Sequence, residues 1–532
     1  VPKGKKRNTK NEKIEQIFSL SKDTLQVVEK YTREMNICGK TLHPHQISAV
    51  EWMAEREEDP VVRGGFLCDE MGLGKTITTA ALLMHNPVAN TLLLMPLAVV
   101  AQWTDLMLQT GCSVYTMVNN RWVLRSKGAA KPQSIYITNY NKLTTNGFYA
   151  LDQTWNRLVL DEAHTMRNYK SKAYTQLKKI RAARKWFLTG TPIVNRVADL
   201  SALMHLLNRH IQPNAYNEEL ALTWMANYAL QRTTEQIREL LPGVLPTVAK
   251  THYHRLDFIN KEEEEFYKRT QTDAQMELEH ILAQQHVNML QFLSVLLRLR
   301  QISTHPQVYI EARRKALGAR YTRPNWVGDS SKTKAMVDIL RSEKEGHGYV
   351  VFCHFDAEIA LLKKRLEKET CVSKVLVYNG SMTADQREAV IAESKKLMKV
   401  GGNGDTIDKT IQAVWPKLPL LPMDVINYWI EPMLGRHVVL LAQIQSAGTG
   451  INLQHMDRAI FTTPWWTAAL MDQAVGRIVR LGQEKPVEVH HLAHNEEEEL
   501  SETINIDDYI NVRVEAKRDL CARLLQSASH AV

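Results

Sequence analysis

The most constraining stretch of this chain is a short apolar run, Gly65-Phe66-Leu67-Cys68, that passes directly into Asp69-Glu70-Met71-Gly72-Leu73-Gly74-Lys75-Thr76. A run of this kind reads as a strand covered on both faces, the condition of strands in parallel sheets flanked by helices. Gly72 and Gly74 free the backbone to wrap its N–H groups around an anion, and the helical stretch that follows adds its positive N-terminus. Lys75 then stands where a loop lysine reaches β- and γ-phosphates, and Thr76 where a hydroxyl holds Mg²⁺. The strict phosphate-loop pattern asks for glycine at position 69, where this chain has Asp69. Taken alone, the motif therefore competes with a plain glycine-containing turn.

A second motif shifts that balance. Leu158-Val159-Leu160 reads as another doubly covered strand, and it ends in Asp161-Glu162-Ala163-His164. Asp161 suits the metal-holding carboxylate of a phosphate-loop ATPase, and Glu162 the group that orients or deprotonates an attacking water. In isolation such a pair more often caps a helix; beside a phosphate loop it reads as catalytic. Thr91-Leu92-Leu93-Leu94-Met95 supplies a third strand of the same type, and open α/β sheets bind ligands at the carboxyl ends of their strands. A third element, Asp472 to Gln483, carries Gln473, Arg477 and Arg480. Arginines three apart on a helix share one face and together suit the charge that develops on a transferring γ-phosphate. Two arginines on a solvated helix are the competing reading. ATP and Mg²⁺ are the cofactors these motifs imply.

The rest of the chain sets the frame. With 44% hydrophobic and 23% charged residues among 532, it reads as globular rather than disordered. A net charge of +9 suits a polyanionic partner, which bears on association and not on fold. None of the six cysteines forms a C-x-x-C pair, which argues against a zinc module and for reduced, buried thiols. No apolar run approaches the ~20 residues of a membrane span, and no secretory pattern is seen. Composition and periodicity divide the chain into an N-terminal extension (1–40), an α/β lobe (41–215), a mainly helical region (216–300), a connector (301–345), a second α/β lobe (346–500) and a C-terminal helix (501–532). The Gly/Pro-free stretch from Lys261 to Arg300 predicts one long amphipathic helix. Residues 395–437 read as an insert in the second lobe.

With these motifs in order, the chain resembles the Snf2 family of superfamily 2 ATPases from about Leu42 to Leu525. Leu42-His43-Pro44-His45-Gln46 is similar to the family's L-R-P-Y-Q, which implies that Gln46 reads adenine. Asp69 to Thr76 is the family's own D-E-M-G-L-G-K-T, which accounts for Asp69. Leu188-Thr189-Gly190-Thr191-Pro192 resembles its L-T-G-T-P, Ser446 to Leu453 the motif before the arginine pair, and Gln473 to Gln483 its Q-A-x-x-R-x-x-R-x-G-Q. Leu297 to Pro306 is most similar to the Rad5/Rad16-like group, although the RING insert of that group has no cysteine cluster here. The compact length and the insert are also similar to divergent members in large DNA viruses.

The resemblance implies an α/β fold of two RecA-like lobes with parallel sheets, a helical protrusion between them and a C-terminal helical brace. It implies a DNA-dependent ATPase that translocates on double-stranded DNA, acting on nucleosomes or other DNA-bound proteins, as a monomer or a subunit of a larger complex. Its place would be the nucleus, or for a viral member the replication compartment or virion. Candidate DNA contacts are Gln102, Trp103, Thr138, Tyr140, Arg387 and Trp466; Trp103 suits core packing equally well. Pro464-Trp465-Trp466 keeps the centre of the family's D-P-W-W-N-P, but Thr463, Thr467 and Ala468 replace its flanks. Two rival readings stay open: a DEAH-type RNA helicase, against which Leu188 to Pro192 speaks, and an ATP-dead DNA or chromatin binding module.

Overall fold

The computed structural model describes residues 41–127, 132–145, 148, 153–193, 196–214, 217–240, 250–284, 288–401, 437–447, 451–480, 483, 485–495 and 505–526. The expected N-terminal extension and most of the expected insert, 402–436, lie outside them. The chain divides into two compact units, Val1–Leu245 with Lys517–Val532, and Pro246–Ala516. Each is α/β and built on one sheet.

The first sheet contains β1 (Gly64–Leu67), β2 (Asn90–Met95), β3 (Ser113–Val118), β4 (Arg121–Leu124), β5 (Ser134–Asn139), β6 (Thr154–Asp161), β7 (Arg181–Leu188) and β8 (Ala229–Leu230), in the order β4-β3-β5-β2-β6-β7-β1-β8. All neighbours pair in parallel except β3 and β4. That hairpin turns on Asn119 and Asn120, both at positive φ (47° and 61°), a conformation asparagine tolerates better than most residues. Alternate residues of the central strands feed two separate cores. Phe66, Leu92, Leu94, Leu158, Leu160 and Phe187 lie in one, and Leu67, Leu93, Met95, Val159 and Leu188 in the other, as the two-residue strand period dictates. A fully buried ion pair fastens helix Pro44–Glu57 to β6: the Arg157 guanidinium donates twice to Glu57, at 2.5 Å each, and the Trp186 indole adds a third donor at 2.9 Å.

The second sheet, wholly parallel, contains β9 (Lys250–Leu256), β10 (Gly348–Cys353), β11 (Val372–Tyr378), β12 (His437–Gln443), β13 (Arg458–Phe461) and β14 (Glu488–His494), in the order β11-β12-β10-β13-β14-β9. Three features differ from the sequence reading. The region 216–300 is not only helical, because β9 within it joins the edge of this sheet beside β14; its sparse alternation is that of a half-exposed edge strand. The single long helix is two, Lys261–Leu282 and Met289–Thr304. Asn288 caps the second by accepting the N–H groups of Leu290 and Gln291, a local hydrogen bond that competes with helix continuation. The connector 301–345 is folded into helices Pro306–Leu317 and Ser331–Ser342, and Met336, Val337 and Leu340 of the latter belong to the core under the sheet. Helix Ile506–Gln526 packs Ile506, Ile510 and Val514 against Val295, Leu296 and Leu299. Beneath it Lys332 pairs with Asp507 at 2.6 Å, and Ser303 donates to the same carboxylate at 2.9 Å.

Candidate functional site

The glycine-rich loop leaves the carboxyl end of β1 and enters helix Lys75–His85. Gly72 and Gly74 have φ of 88° and 89°, where a Cβ is strained. At Gly74 a Cβ would also lie 2.2 Å from Gln46 Nε2, so the glycine makes room for Gln46. That side chain donates to Leu73 O at 3.2 Å and accepts the His43 N–H at 2.9 Å. Gln46 and the loop are therefore one packed assembly. Lys75 Nζ donates to the carbonyls of Asp69 (2.6 Å) and Glu70 (3.2 Å), which holds its ammonium within the loop.

Asp161 ends β6, two strands across the sheet from β1. Its Oδ2 accepts the Trp103 indole N–H at 2.7 Å, and its Oδ1 accepts the Glu162 N–H at 2.9 Å. Burial, reinforced by the Glu162 charge, raises the Asp161 carboxyl above the usual range, against the pull of the Trp103 hydrogen bond and the Lys75 charge. An adjacent cation would reverse that rise. The hydroxyl of Thr76 and the carboxylate of Asp161 are hard oxygen donors of the kind Mg²⁺ takes, so these residues fit the ion. Glu162 is held at φ 51° and ψ 48°, a left-handed conformation that costs a non-glycine residue about 1–3 kcal/mol and collects at functional sites. His164 Nδ1 lies 3.1 Å from Thr189 Oγ1 and 3.5 Å from Glu162 Oε2. Thr189 Oγ1 also accepts the Thr191 N–H at 3.1 Å. The acid pair is thereby wired to the segment that follows β7.

In the second unit, Gln473 lies buried in helix Ala468–Val475. The helix stops at Gly476, so the arginines do not share a helical face as the spacing predicts. They follow in tight turns, where Gln483 N bonds Arg480 O at 3.0 Å. Arg477 is buried, while Arg480 is half-buried and donates from Nε to Gly476 O at 2.9 Å.

The candidate DNA contacts separate by burial. Gln102 is exposed on helix Val100–Gln109. Trp103, Thr138 and Tyr140 are not surface residues: their exposures are 1%, 2% and 7%. Trp103 is spent on Asp161, and the Tyr140 hydroxyl donates to Asp161 O at 2.7 Å. Trp103 and Tyr140 are therefore supports of the acid pair where the sequence suggested nucleic-acid contacts, and Thr138 is buried within β5. Arg387 turns back on its own loop, donating to Asn379 O and Gly380 O at 3.1 Å each. Trp466 is half-buried, edge-on to Tyr509 at 6.3 Å.

Sequence reasoning missed Arg232, which pairs with Asp69, because nothing in local spacing links two residues so far apart in the chain.

The SNF2-related domain family matches residues 45–308, from the helix of Gln46 through the phosphate loop and acid pair. That stretch belongs to the family. Among its relatives, the "Putative ATP-dependent helicase/translocase YwqA" of Bacillus subtilis is 23% identical over 542 residues, covering 96% of this chain and 52% of the relative. The "DNA repair protein RAD5" of Candida albicans is 23% identical over 591 residues, covering 81% and 54%. The chain thus spans about half the length of the curated relatives it matches. Of solved structures, the "Sulfolobus solfataricus SWI2/SNF2 ATPase core in complex with dsDNA" is 23% identical, with a TM-score of 0.36, over 92% of this chain and 94% of that one.

Proposed function

We propose that this SNF2-family chain is an ATP-dependent translocase on double-stranded DNA. The observation that carries the reading is the single constellation of phosphate loop and acid pair. Lys75 is seated in a glycine loop at the end of β1, and its charge acts on Asp161. Glu162 stands beside it in a strained conformation. Gln46, packed on the loop, would read the base. Lys75 would counter the β- and γ-phosphates, with Thr76 and Asp161 holding Mg²⁺, which when bound neutralises phosphate charge. Glu162 would orient the attacking water and accept its proton. Arg477, Arg480 and Gln473 would serve the transition state in the ATP-bound form. The match to the SNF2-related family and the name of the Candida albicans relative, a DNA repair protein, support DNA as the track. Nucleosomes or other DNA-bound proteins are the obstacles this reading assigns to the motor, with the nucleus as the place in a eukaryotic source.

Lys75→Ala should abolish ATP hydrolysis while leaving the melting temperature unchanged. Duplex DNA should stimulate the wild-type ATPase more than single strands or RNA do, and binding should weaken steeply with salt because counterion release drives it. Equal stimulation by RNA would favour the RNA-helicase reading. No turnover with any nucleic acid would favour the binding module.

A further inference from the structure

We propose that Arg232 is a positioning residue for the nucleotide, holding the phosphate loop in its binding shape through Asp69; the inference rests on the nucleotide reading of that loop. Asp69 occupies the position where the strict pattern has glycine, and it is fully buried. A buried carboxylate at the root of a loop that must receive a polyphosphate opposes binding unless its charge is balanced. The balance comes from Arg232. Its Nε donates to Asp69 Oδ1 at 2.9 Å and one terminal nitrogen donates to Oδ2, so the fork is bidentate. The other terminal nitrogen donates to His45 O, next to Gln46. One guanidinium therefore ties the loop to the helix that carries Gln46. A lysine offers no such planar fork.

The backbone around Arg232 adds to this grip. Cys68 N donates to Leu230 O (2.7 Å), Glu70 N to Arg232 O (2.9 Å), and Thr234 N to Glu70 Oε2 (2.7 Å). Residues 230–234 thus continue the β1–β8 pairing alongside the loop. The residues they fix, Asp69 and Glu70, are the two whose carbonyls hold Lys75 Nζ. Arg232 touches no reacting atom; it acts through the loop and the charge of Asp69.

The test uses the full chain, a fluorescently labelled ADP, and melting temperatures on the same preparations. Arg232→Gln should raise the Kd for labelled ADP about tenfold or more, the scale of one lost charge compensation, with KM for ATP rising in step and kcat falling less. Arg232→Lys, the variant kinder to folding, should recover only part of the affinity. Asp69→Asn combined with Arg232→Gln removes both charges and should return the Kd to within about threefold of wild type. A purely structural role predicts instead that affinity falls only with the unfolded fraction and that the double variant binds no better than the single. Either that pattern, or wild-type affinity in Arg232→Gln, would overturn the inference alone. Failure of the wild-type chain to bind labelled ADP would overturn it together with the nucleotide reading.

Discussion

Where the strands of the first sheet end, charged side chains remain partly exposed. Lys75, Asp161, Glu162 and His164 are all half-buried there, and each is aimed by a partner behind it. The equivalent ends of the second sheet are filled. Arg300, from the helix Met289–Thr304, donates to His354 Nδ1 at 3.0 Å and lies 4.7 Å over the ring of Trp465. His354 stacks on the other ring contact, 4.9 Å from Trp465 and parallel to it. Beneath them Glu358 accepts the Thr462 hydroxyl at 2.5 Å and the His354 N–H at 2.7 Å. Burial pushes the Arg300 guanidinium down to about 10 and the His354 ring well below its ordinary value, with Arg300 adding to the latter. Two sheets of one class therefore do different things with the same topological position. A helix fills the ends of β10 and β13 in the second sheet, while the ends of β1 and β6 in the first keep their charged groups partly exposed.

The sharpest test of this contrast is Arg480→Ala. If Arg480 acts on ATP only at the transition state, turnover should fall about 10³–10⁵-fold, with labelled-ADP affinity and melting temperature kept. A large drop in melting temperature, with turnover lost in proportion, would make Arg480 structural and erase the distinction.

Next in size are the two buried ion pairs, where the units should behave alike. Lys332→Ala strands Asp507, and Arg157→Ala takes from Glu57 its bidentate partner, leaving a longer contact to Arg184 at 3.3 Å. Each should lose about 3–5 kcal/mol in chemical denaturation, the range for breaking a buried ion pair. For Asp507, whose carboxyl is held low chiefly by Lys332 against its burial, the pair's stabilisation is present above the unfolded carboxyl range and fades as pH falls through the depressed folded value. A loss below 1 kcal/mol in either unit would mean that water reaches that pair.

The smallest expected effect is also the most specific. Trp103→Phe keeps most of the buried ring and removes the donor to Asp161. It should cost about 1.5–3 kcal/mol, the range for a hydrogen bond to a charged group, seen as a higher Mg²⁺ requirement for ADP binding. Trp465→Phe in the filled strand ends should cost about 1 kcal/mol of stability from the weakened cation–π contact and leave ADP binding unchanged. Equal effects on ADP binding would break the comparison.

Much of the fold was legible because its signals are local. Four-residue apolar runs specify covered strands, and glycines at 72 and 74 specify a backbone that few other residues adopt. Both follow from sterics within a few residues, as do the acid pair at the end of β6 and the lysine at the head of a helix. The readings that failed were those requiring knowledge of what packs alongside. The arginine motif looks helical by spacing, yet the chain turns at Gly476. Trp103 and Tyr140 look available for nucleic acid, yet both are buried against Asp161, the indole N–H on its carboxylate and the phenol hydroxyl on its backbone carbonyl. The β9 strand is hidden in a polar stretch because an edge strand needs little apolar surface.

The sequence by itself determined which residues are the candidates for the chemistry: the loop of Lys75 and Thr76, Asp161 with Glu162, and the two arginines. What tertiary structure decided is how those groups are held and charged. Trp103 meets Asp161 across 58 residues of chain, and Arg232 meets Asp69 across 163. No periodicity encodes such pairs. They arise because a carboxylate taken out of water demands a donor, and folding decides which donor arrives.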